Sequence, residues 1–278
     1  MGLEELIQRA LEEDLGTGDH TSLAVVPEGA LGNAVMIAKE PGIVAGTEIA
    51  KMVFEAVDPD LQVVIFKKDG EEVKPGENIM QVQGNSLSVL SAERTALNFI
   101  QRMSGIATFT NKVVRKLDGL HTILLDTRKT TPCNRIVEKM AVKAGGGENH
   151  RFGLFDMIMI KDNHIDFAGG VKPAIEKVKT YLEKHCLDLK IEIEARNFKE
   201  IQEILETGGI DRIMLDNFSP EDIKKGLDMI DGYYETEASG GINMENIRAY
   251  AETGVDYISV GALTHQIKSM DISLIAVR

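Results

Sequence analysis

The chain has 278 residues, of which 43% are hydrophobic and 27% charged, with a formal net charge of -13. That acidity argues against non-specific attachment to nucleic acid or anionic membrane, and no uninterrupted apolar run is long enough to span a bilayer. The two cysteines, Cys133 and Cys186, lie far apart and form neither a disulfide framework nor a CxxC metal pattern. With no signal-like start, a reducing cytoplasm is the expected compartment.

Leu3, Leu6, Ile7, Ala10 and Leu11 recur at helical spacing and predict a helix over about residues 3–13. Strands are expected at 34–39, 63–67 and 79–82, with a helix over 47–57 between the first two. The turn signals Pro41-Gly42, Asp69-Gly70 and Pro75-Gly76 separate these pieces. Together they describe a compact mixed α+β unit with antiparallel pairing. A long helical stretch over about 87–117 follows, with a break expected at Ser104-Gly105.

Six apolar runs come next, each stopping at residues able to do chemistry or hold a phosphate. Ile123-Leu124-Leu125 ends in Asp126-Thr127-Arg128-Lys129, and Met157–Ile160 ends in Lys161-Asp162-Asn163-His164. Ile191-Glu192-Ile193 ends in Glu194, and Ile213-Met214-Leu215 ends in Asp216-Asn217. Tyr234–Ala238 ends in Ser239-Gly240-Gly241, and Tyr257–Val260 ends in Gly261-Ala262. Helical patterns separate most of them, so parallel strands joined by crossover helices are expected, with the site at the strand mouths. Six strands are fewer than the eight of a full barrel, so the reading is a barrel-like parallel α/β domain. The expected domains are 1–117 and 118–269, with 270–278 able to return to the first.

Between Asp126 and Lys161 seven Lys or Arg face four Asp or Glu, a local excess of three cations in an acidic chain. A basic pocket of this kind suits a small, multiply anionic substrate. Arg128 and Lys129, just beyond a buried strand, are expected in the site, whereas Lys139 and Lys143, four apart on a helix, read as solvated charges. Gly145-Gly146-Gly147 precede His150 and Arg151. The glycines permit close backbone approach to a ligand, and Arg151 can grip a carboxylate with two hydrogen bonds. The plainer reading of the glycines is a turn that ends a helix. Lys161 could hold phosphate as a point charge or act as a Schiff-base nucleophile. Glu194 and Asp216 could hold Mg²⁺, directly or through water, or be helix caps or partners of a site lysine. The glycines at 240, 241 and 261, with Ser239, suit backbone binding of a phosphate. His20, His121 and His185 have no partners at a recognisable spacing, and the methionines read as core filling.

The runs Asp126–Pro132, Glu138-Lys139, Gly145–Arg151 and Ile160–His164 closely resemble the quinolinate phosphoribosyltransferases, also called nicotinate-nucleotide pyrophosphorylases (carboxylating). The resemblance covers nearly the whole chain. It takes in Glu12–Gly16, Gly18-Asp19, Glu93-Arg94-Thr95, Ser104–Thr108, Leu215-Asp216-Asn217, Glu237–Gly241 and Gly261–His265. Cys133-Asn134 and His20 depart from frequent family residues without replacing one with a named role. Cys133 is expected near the site.

The resemblance implies an N-terminal α+β sandwich domain followed by an open parallel β/α barrel. It implies the conversion of quinolinate and 5-phosphoribosyl 1-pyrophosphate to nicotinate mononucleotide, pyrophosphate and CO₂, with Mg²⁺, on the route to NAD. Lys129, Lys161, Glu194 and Asp216 would be catalytic. Arg94, Arg128, His150 and Arg151 would hold the carboxylates, with Lys129 beside them, and Lys129 and Lys161 would balance the phosphates. Glu194 and Asp216 would face the ribose and the metal-pyrophosphate, and Ser239, Gly240, Gly241 and Gly261 would cradle the 5-phosphate. The unit implied is a homodimer, or a larger assembly of dimers, in which Arg94 enters the neighbouring chain's site. Rival readings are a same-fold transferase acting on nicotinate or another base, a Schiff-base barrel aldolase through Lys161, and a catalytically silent phosphate-binding protein.

Overall fold

The computed structural model describes residues 2–277, and the chain divides into two compact units. Among the described residues the first comprises 2–112, 129–147 and 263–277, and the second 113–128 and 148–262.

Five strands of the first unit come early in the chain: β1 (Leu31–Ala38), β2 (Gly42–Ile43), β3 (Gln62–Ile65), β4 (Glu72–Val73) and β5 (Asn78–Asn85). A sixth, Ile272–Ala276, is the chain's last strand, β12. The sheet order is β12-β1-β5-β3, antiparallel throughout, with β2 and β4 forming a separate pair. Alternation along β1 buries Ala34, Met36 and Ala38, as one covered sheet face requires. Helix Thr47–Val57 buries Ile49, Ala50, Val53 and Phe54, and helix Leu3–Leu15, in contact with it, buries Leu6, Ile7 and Leu11. Each of these side chains larger than alanine contributes roughly 1.5–3 kcal/mol when fully buried. Asp69 secures the start of helix Thr47–Val57, accepting from the N–H groups of Gly46 and Thr47 at 2.9 Å.

Helix Ser86–Val114 is continuous, contrary to the expected break at Ser104-Gly105. The Ser104 hydroxyl exchanges hydrogen bonds with the backbone of Ala45, and a Cβ on Gly105 would strike the Lys268 carbonyl. These two residues serve close packing rather than helix termination. Strands β2 and β4 are too short to show a period, so the sequence offered no sign of them. The end of the chain joins the first unit through β12, which pairs with β1 from Ala34↔Ala276 to Ala38↔Ile272.

The second unit holds a six-stranded parallel sheet. Its strands are β6 (Ile123–Leu125), β7 (Ile158–Ile160), β8 (Ile191–Ala195), β9 (Arg212–Asp216), β10 (Glu235–Ser239) and β11 (Tyr257–Ser259). The order is β6-β11-β10-β9-β8-β7, a barrel sequence left open between β6 and β7. Helices Asp162–Ala168, Val171–His185, Phe198–Thr207, Pro220–Ile230 and Ile247–Ala251 make the crossovers. Two aspartates just before strands tie the N-terminal ends together. Asp211 accepts from the Ile191 N–H at 2.7 Å, and Asp256 from the Thr236 N–H at 2.8 Å. Because every strand runs the same way, all six C-terminal ends open on one mouth.

Candidate active site

Lys161 directly follows β7, Glu194 lies near the end of β8, and Asp216 and Ser239 end β9 and β10. The Lys161 ammonium is ion-paired with the buried Glu194 carboxylate, which also accepts from the Asp162 N–H at 3.3 Å. Burial, and then the negative charge of Glu194, push the Asp216 carboxyl above its ordinary value. The Asn217 amide donates to Asp216 at 2.7 Å. One ammonium therefore serves two crowded carboxylates. Oxygen donors with surplus negative charge fit a hard divalent cation such as Mg²⁺.

Next to the carboxylates the charge changes sign. Burial, and then the charge of Arg128, lower the Arg151 guanidinium from its ordinary value. Two guanidiniums close enough to oppose each other's charge are an arrangement that suits an anion. The Arg151 side chain is steadied by a 3.0 Å bond from Nη1 to the Met157 carbonyl.

At the mouth of β10 the chain turns sharply. Gly240 and Gly241 have φ of +95° and +65°, and a Cβ on Gly240 would overlap the Asn217 side chain. The Asn217 N–H donates to the Ser239 carbonyl at 2.8 Å, which locks the β9 and β10 ends together. Gly261 follows β11, whose end is joined to β6 by the bond from the Val260 N–H to the Leu125 carbonyl.

Beneath the mouth lies a buried layer of charge that the sequence reading passed over. His150 Nε2 sits 2.9 Å from Glu192 Oε2 and 3.4 Å from Glu237 Oε2. Arg212 pairs with Glu237 at 3.1 Å and with Glu235 at 3.1 Å, and its guanidinium lies 3.8 Å from the centre of the Tyr257 ring. Burial alone would lower the imidazole of His150, but the two carboxylates outweigh it and raise it to about 9. The Arg151 N–H, which donates to Nδ1 at 2.6 Å, opposes that second proton. Burial and the charge of Glu237 push Glu192 up. Burial also works against a charged Glu237, yet its contacts with His150, Ser259 and Arg212 hold it down. The atoms of His150, Glu192 and Glu237 lie close enough to hold a metal ion. The Arg212 guanidinium and the His150 ring already face the two acids without one. The missed signal was the alternation Ile191-Glu192-Ile193-Glu194, with Ile and Glu on opposite faces of one strand.

The second unit thus brings together Arg128, His150, Arg151, Lys161, Glu194, Asp216, Ser239, Gly240, Gly241 and Gly261 at one end of one sheet. His150 is buried, with Nδ1 bonded to the backbone and Nε2 facing acids rather than the mouth. Lys129 and Arg94 belong to the first unit, and both are exposed, Arg94 on helix Ser86–Val114. Lys143 is exposed as expected, but Lys139 is only 2% exposed and is not a solvated charge. A Cβ on Gly145 would crowd Ala107 and Thr110, and one on Gly147 would press on Thr110 and Val142. Helix packing accounts for those glycines without a ligand. Cys133 is exposed, in a turn with φ of 67°.

An open parallel barrel whose mouth sets guanidiniums beside a lysine and two carboxylates defines a class: an α/β-barrel protein that holds a small polyanion. Family models narrow this further. Quinolinate phosphoribosyl transferase, N-terminal domain, matches residues 19–104, and quinolinate phosphoribosyl transferase, C-terminal domain, matches residues 106–275. The chain is 47% identical over 288 aligned residues to a quinolinate phosphoribosyltransferase [decarboxylating] 2, mitochondrial, of Nicotiana glauca, covering 98% of this chain and 81% of that protein. It is 44% identical to a probable nicotinate-nucleotide pyrophosphorylase [carboxylating] of Bacillus subtilis, covering 98% of this chain and 92% of that one. The solved nicotinate-nucleotide pyrophosphorylase of Francisella tularensis superposes with a TM-score of 0.92 at 41% identity, covering 99% of this chain and 96% of that one. The chain belongs to the quinolinate phosphoribosyltransferase family.

Proposed function

We propose that the chain joins quinolinate to the ribose of 5-phosphoribosyl 1-pyrophosphate and releases pyrophosphate and CO₂, forming nicotinate mononucleotide for NAD synthesis. The observation that carries this reading is the crowding of Arg128 and Arg151 beside the Lys161–Glu194–Asp216 group, in a chain of this family. The pyridine nitrogen forms a bond to ribose C1 as the bond from C1 to pyrophosphate breaks. CO₂ then leaves the carbon next to the nitrogen, and a proton takes its place. Positive charge develops on the ribose during the first step, and Glu194 and Asp216 stabilise it electrostatically. The alkylated ring nitrogen stabilises the carbanion of the second step, so no covalent nucleophile is needed.

Arg128 and Arg151 take the quinolinate carboxylates, and His150 supports them from below. Lys129 and Lys161 balance the phosphates, and the backbone at Ser239, Gly240, Gly241 and Gly261 receives the 5-phosphate. Mg²⁺ held by Glu194 and Asp216, directly or through water, would neutralise charge on the departing pyrophosphate. The ion pair of Lys161 with Glu194 suits a charge role and not an imine. A reducing compartment suits the two free, exposed cysteines, and no described helix is long and apolar enough to cross a membrane.

The active unit in this reading is a two-fold homodimer in which each chain lends Arg94 to its partner. Exposed Phe152, Leu154, Phe155 and Phe167 supply apolar surface for such an assembly. Mixed Arg94→Ala and Lys129→Ala chains should then recover about one quarter of all sites, by symmetry counting for random pairing. No recovery after demonstrated subunit exchange would place Arg94 in its own chain's site or in none.

The direct test of function is nicotinate mononucleotide and CO₂ formation from quinolinate, with nicotinate as control. A site built for two carboxylates should discriminate by up to about 10⁴-fold. Equal turnover of both acids would overturn the assignment.

A further inference from the structure

Arg102, Glu138 and Thr264 take no part in the chemistry above, yet they converge on one of its residues. Arg102 projects from helix Ser86–Val114. Its Nη2 donates to Glu138 Oε1 at 2.9 Å and to the Thr264 carbonyl at 2.7 Å. The other oxygen of Glu138, which is fully buried, accepts from the Thr131 N–H at 3.1 Å. The buried Thr264 hydroxyl donates to the Lys129 carbonyl at 2.7 Å. One guanidinium therefore joins segments 36 and 162 residues away in the chain. The Lys129 carbonyl and the Thr131 N–H are gripped from both sides, while the Lys129 side chain stays exposed.

The Arg102–Glu138 pair is half-buried, and such a pair is a modest source of stability. What it does supply is geometry, because a guanidinium fork and a carboxylate fix both direction and distance. A lysine has a long, flexible stem, so the place its ammonium can reach is set by its backbone. Misplacement of a catalytic group by about 1 Å can cost about 10²-fold in rate.

We propose that Arg102, Glu138 and Thr264 are positioning residues that hold the Lys129 backbone in one place and so set where its ammonium can reach. The proposal rests on the reading of Lys129 as a substrate-binding cation. It deepens that reading by naming what aims the lysine.

Thr264→Val removes the hydroxyl donor and keeps the shape, and Thr264→Ser keeps the donor. Thr264→Val should lower kcat/KM by about 5- to 20-fold and weaken 5-phosphoribosyl 1-pyrophosphate binding about 5-fold, with Tm within about 2 °C of wild type. Thr264→Ser should stay within about 2-fold of wild type. In a Lys129→Met background, Thr264→Val should change that affinity, read by equilibrium titration, by less than about 2-fold, because the group it positions is gone. Arg102→Met should give a larger loss, to which Thr264→Val adds little. If Arg102→Met fails to fold, the valine and serine variants still decide. Equal loss of affinity in both Lys129 backgrounds, or no loss in either, would overturn the positioning role. Wild-type turnover by Lys129→Met alone would instead remove the role assigned to Lys129.

Discussion

Strands β1 and β8 both alternate, and they bury opposite kinds of side chain. Along β1 the buried positions are Ala34, Met36 and Ala38, and their neighbours are only partly covered. Along β8 all five residues are buried, Ile191, Ile193 and Ala195 on one face and Glu192 and Glu194 on the other. The first sheet has one covered face, so apolar alternation marks its core. The barrel strand is covered on both faces, by crossover helices outside and by other strands' side chains within. There the apolar residues mark the outer face, and the inner layer is charge matched with charge: Glu192 and Glu237 against His150 and Arg212. Burial by itself therefore does not imply an apolar residue, provided each ion meets its counter-ion.

The sharpest way to break this comparison is to damage one member of each core. Glu237→Gln should cost about 3–5 kcal/mol, because it leaves Arg212 and His150 with too little negative charge in a buried layer. Met36→Ala should cost about 2–5 kcal/mol by opening a cavity. Urea unfolding at several pH values separates the two, since only the barrel variant should alter the pH dependence. A parallel shift in both variants would show that the barrel interior behaves like an ordinary apolar core.

A second prediction contrasts the mouth with the layer below it. Lys161→Ala should lower kcat by about 10²–10³-fold, roughly 2.7–4 kcal/mol of barrier. The partly exposed ion pair with Glu194 should account for no more than about 1 kcal/mol of stability. Lys161→Arg should retain more activity than the alanine variant. Substrate-dependent inactivation by borohydride would contradict the charge role.

The pH dependence of His150 comes next. Its folded value, about 9, exceeds the ordinary 6.5, so folding takes up a proton. The associated stability, up to about 3 kcal/mol, should be fully present below pH about 6.5 and lost as pH rises through about 9. An NMR titration should place the ring near the upper value and show it falling in Glu192→Gln. A ring that titrates at its ordinary value in both proteins would mean that the Arg151 N–H, and not the carboxylates, governs it.

The smallest expected effect is at the β10 turn. Gly240→Ala should cost about 1–3 kcal/mol, since its φ is strained for alanine and the new methyl meets Asn217. It should also weaken binding of 5-phosphoribosyl 1-pyrophosphate more than of quinolinate, which paired titrations would reveal.

Much of this molecule is legible without coordinates. Six apolar runs, each closed by a reactive or glycine-rich end, are enough to expect parallel strands with chemistry at one mouth, because strand direction carries every C-terminus to the same side. Lys161, Glu194, Asp216 and Ser239 announce themselves by following or ending such a run. The tight turns at Gly240 and Gly241 are equally local. What stayed hidden was decided across the chain. Lys139 has the spacing of a solvated helix charge, but packing buries it. Gly105 looks like a breaker, but it lies inside a continuous helix where a neighbouring backbone needs the space. Glu192 and Glu237 have nothing in their own segments to pair with. Their partners, His150 and Arg212, arrive only when the register of β8, β9 and β10 is set. Local period and turn chemistry follow from covalent geometry and can be read residue by residue. Which buried ion meets which depends on sheet register and closure, and those exist only in the folded chain.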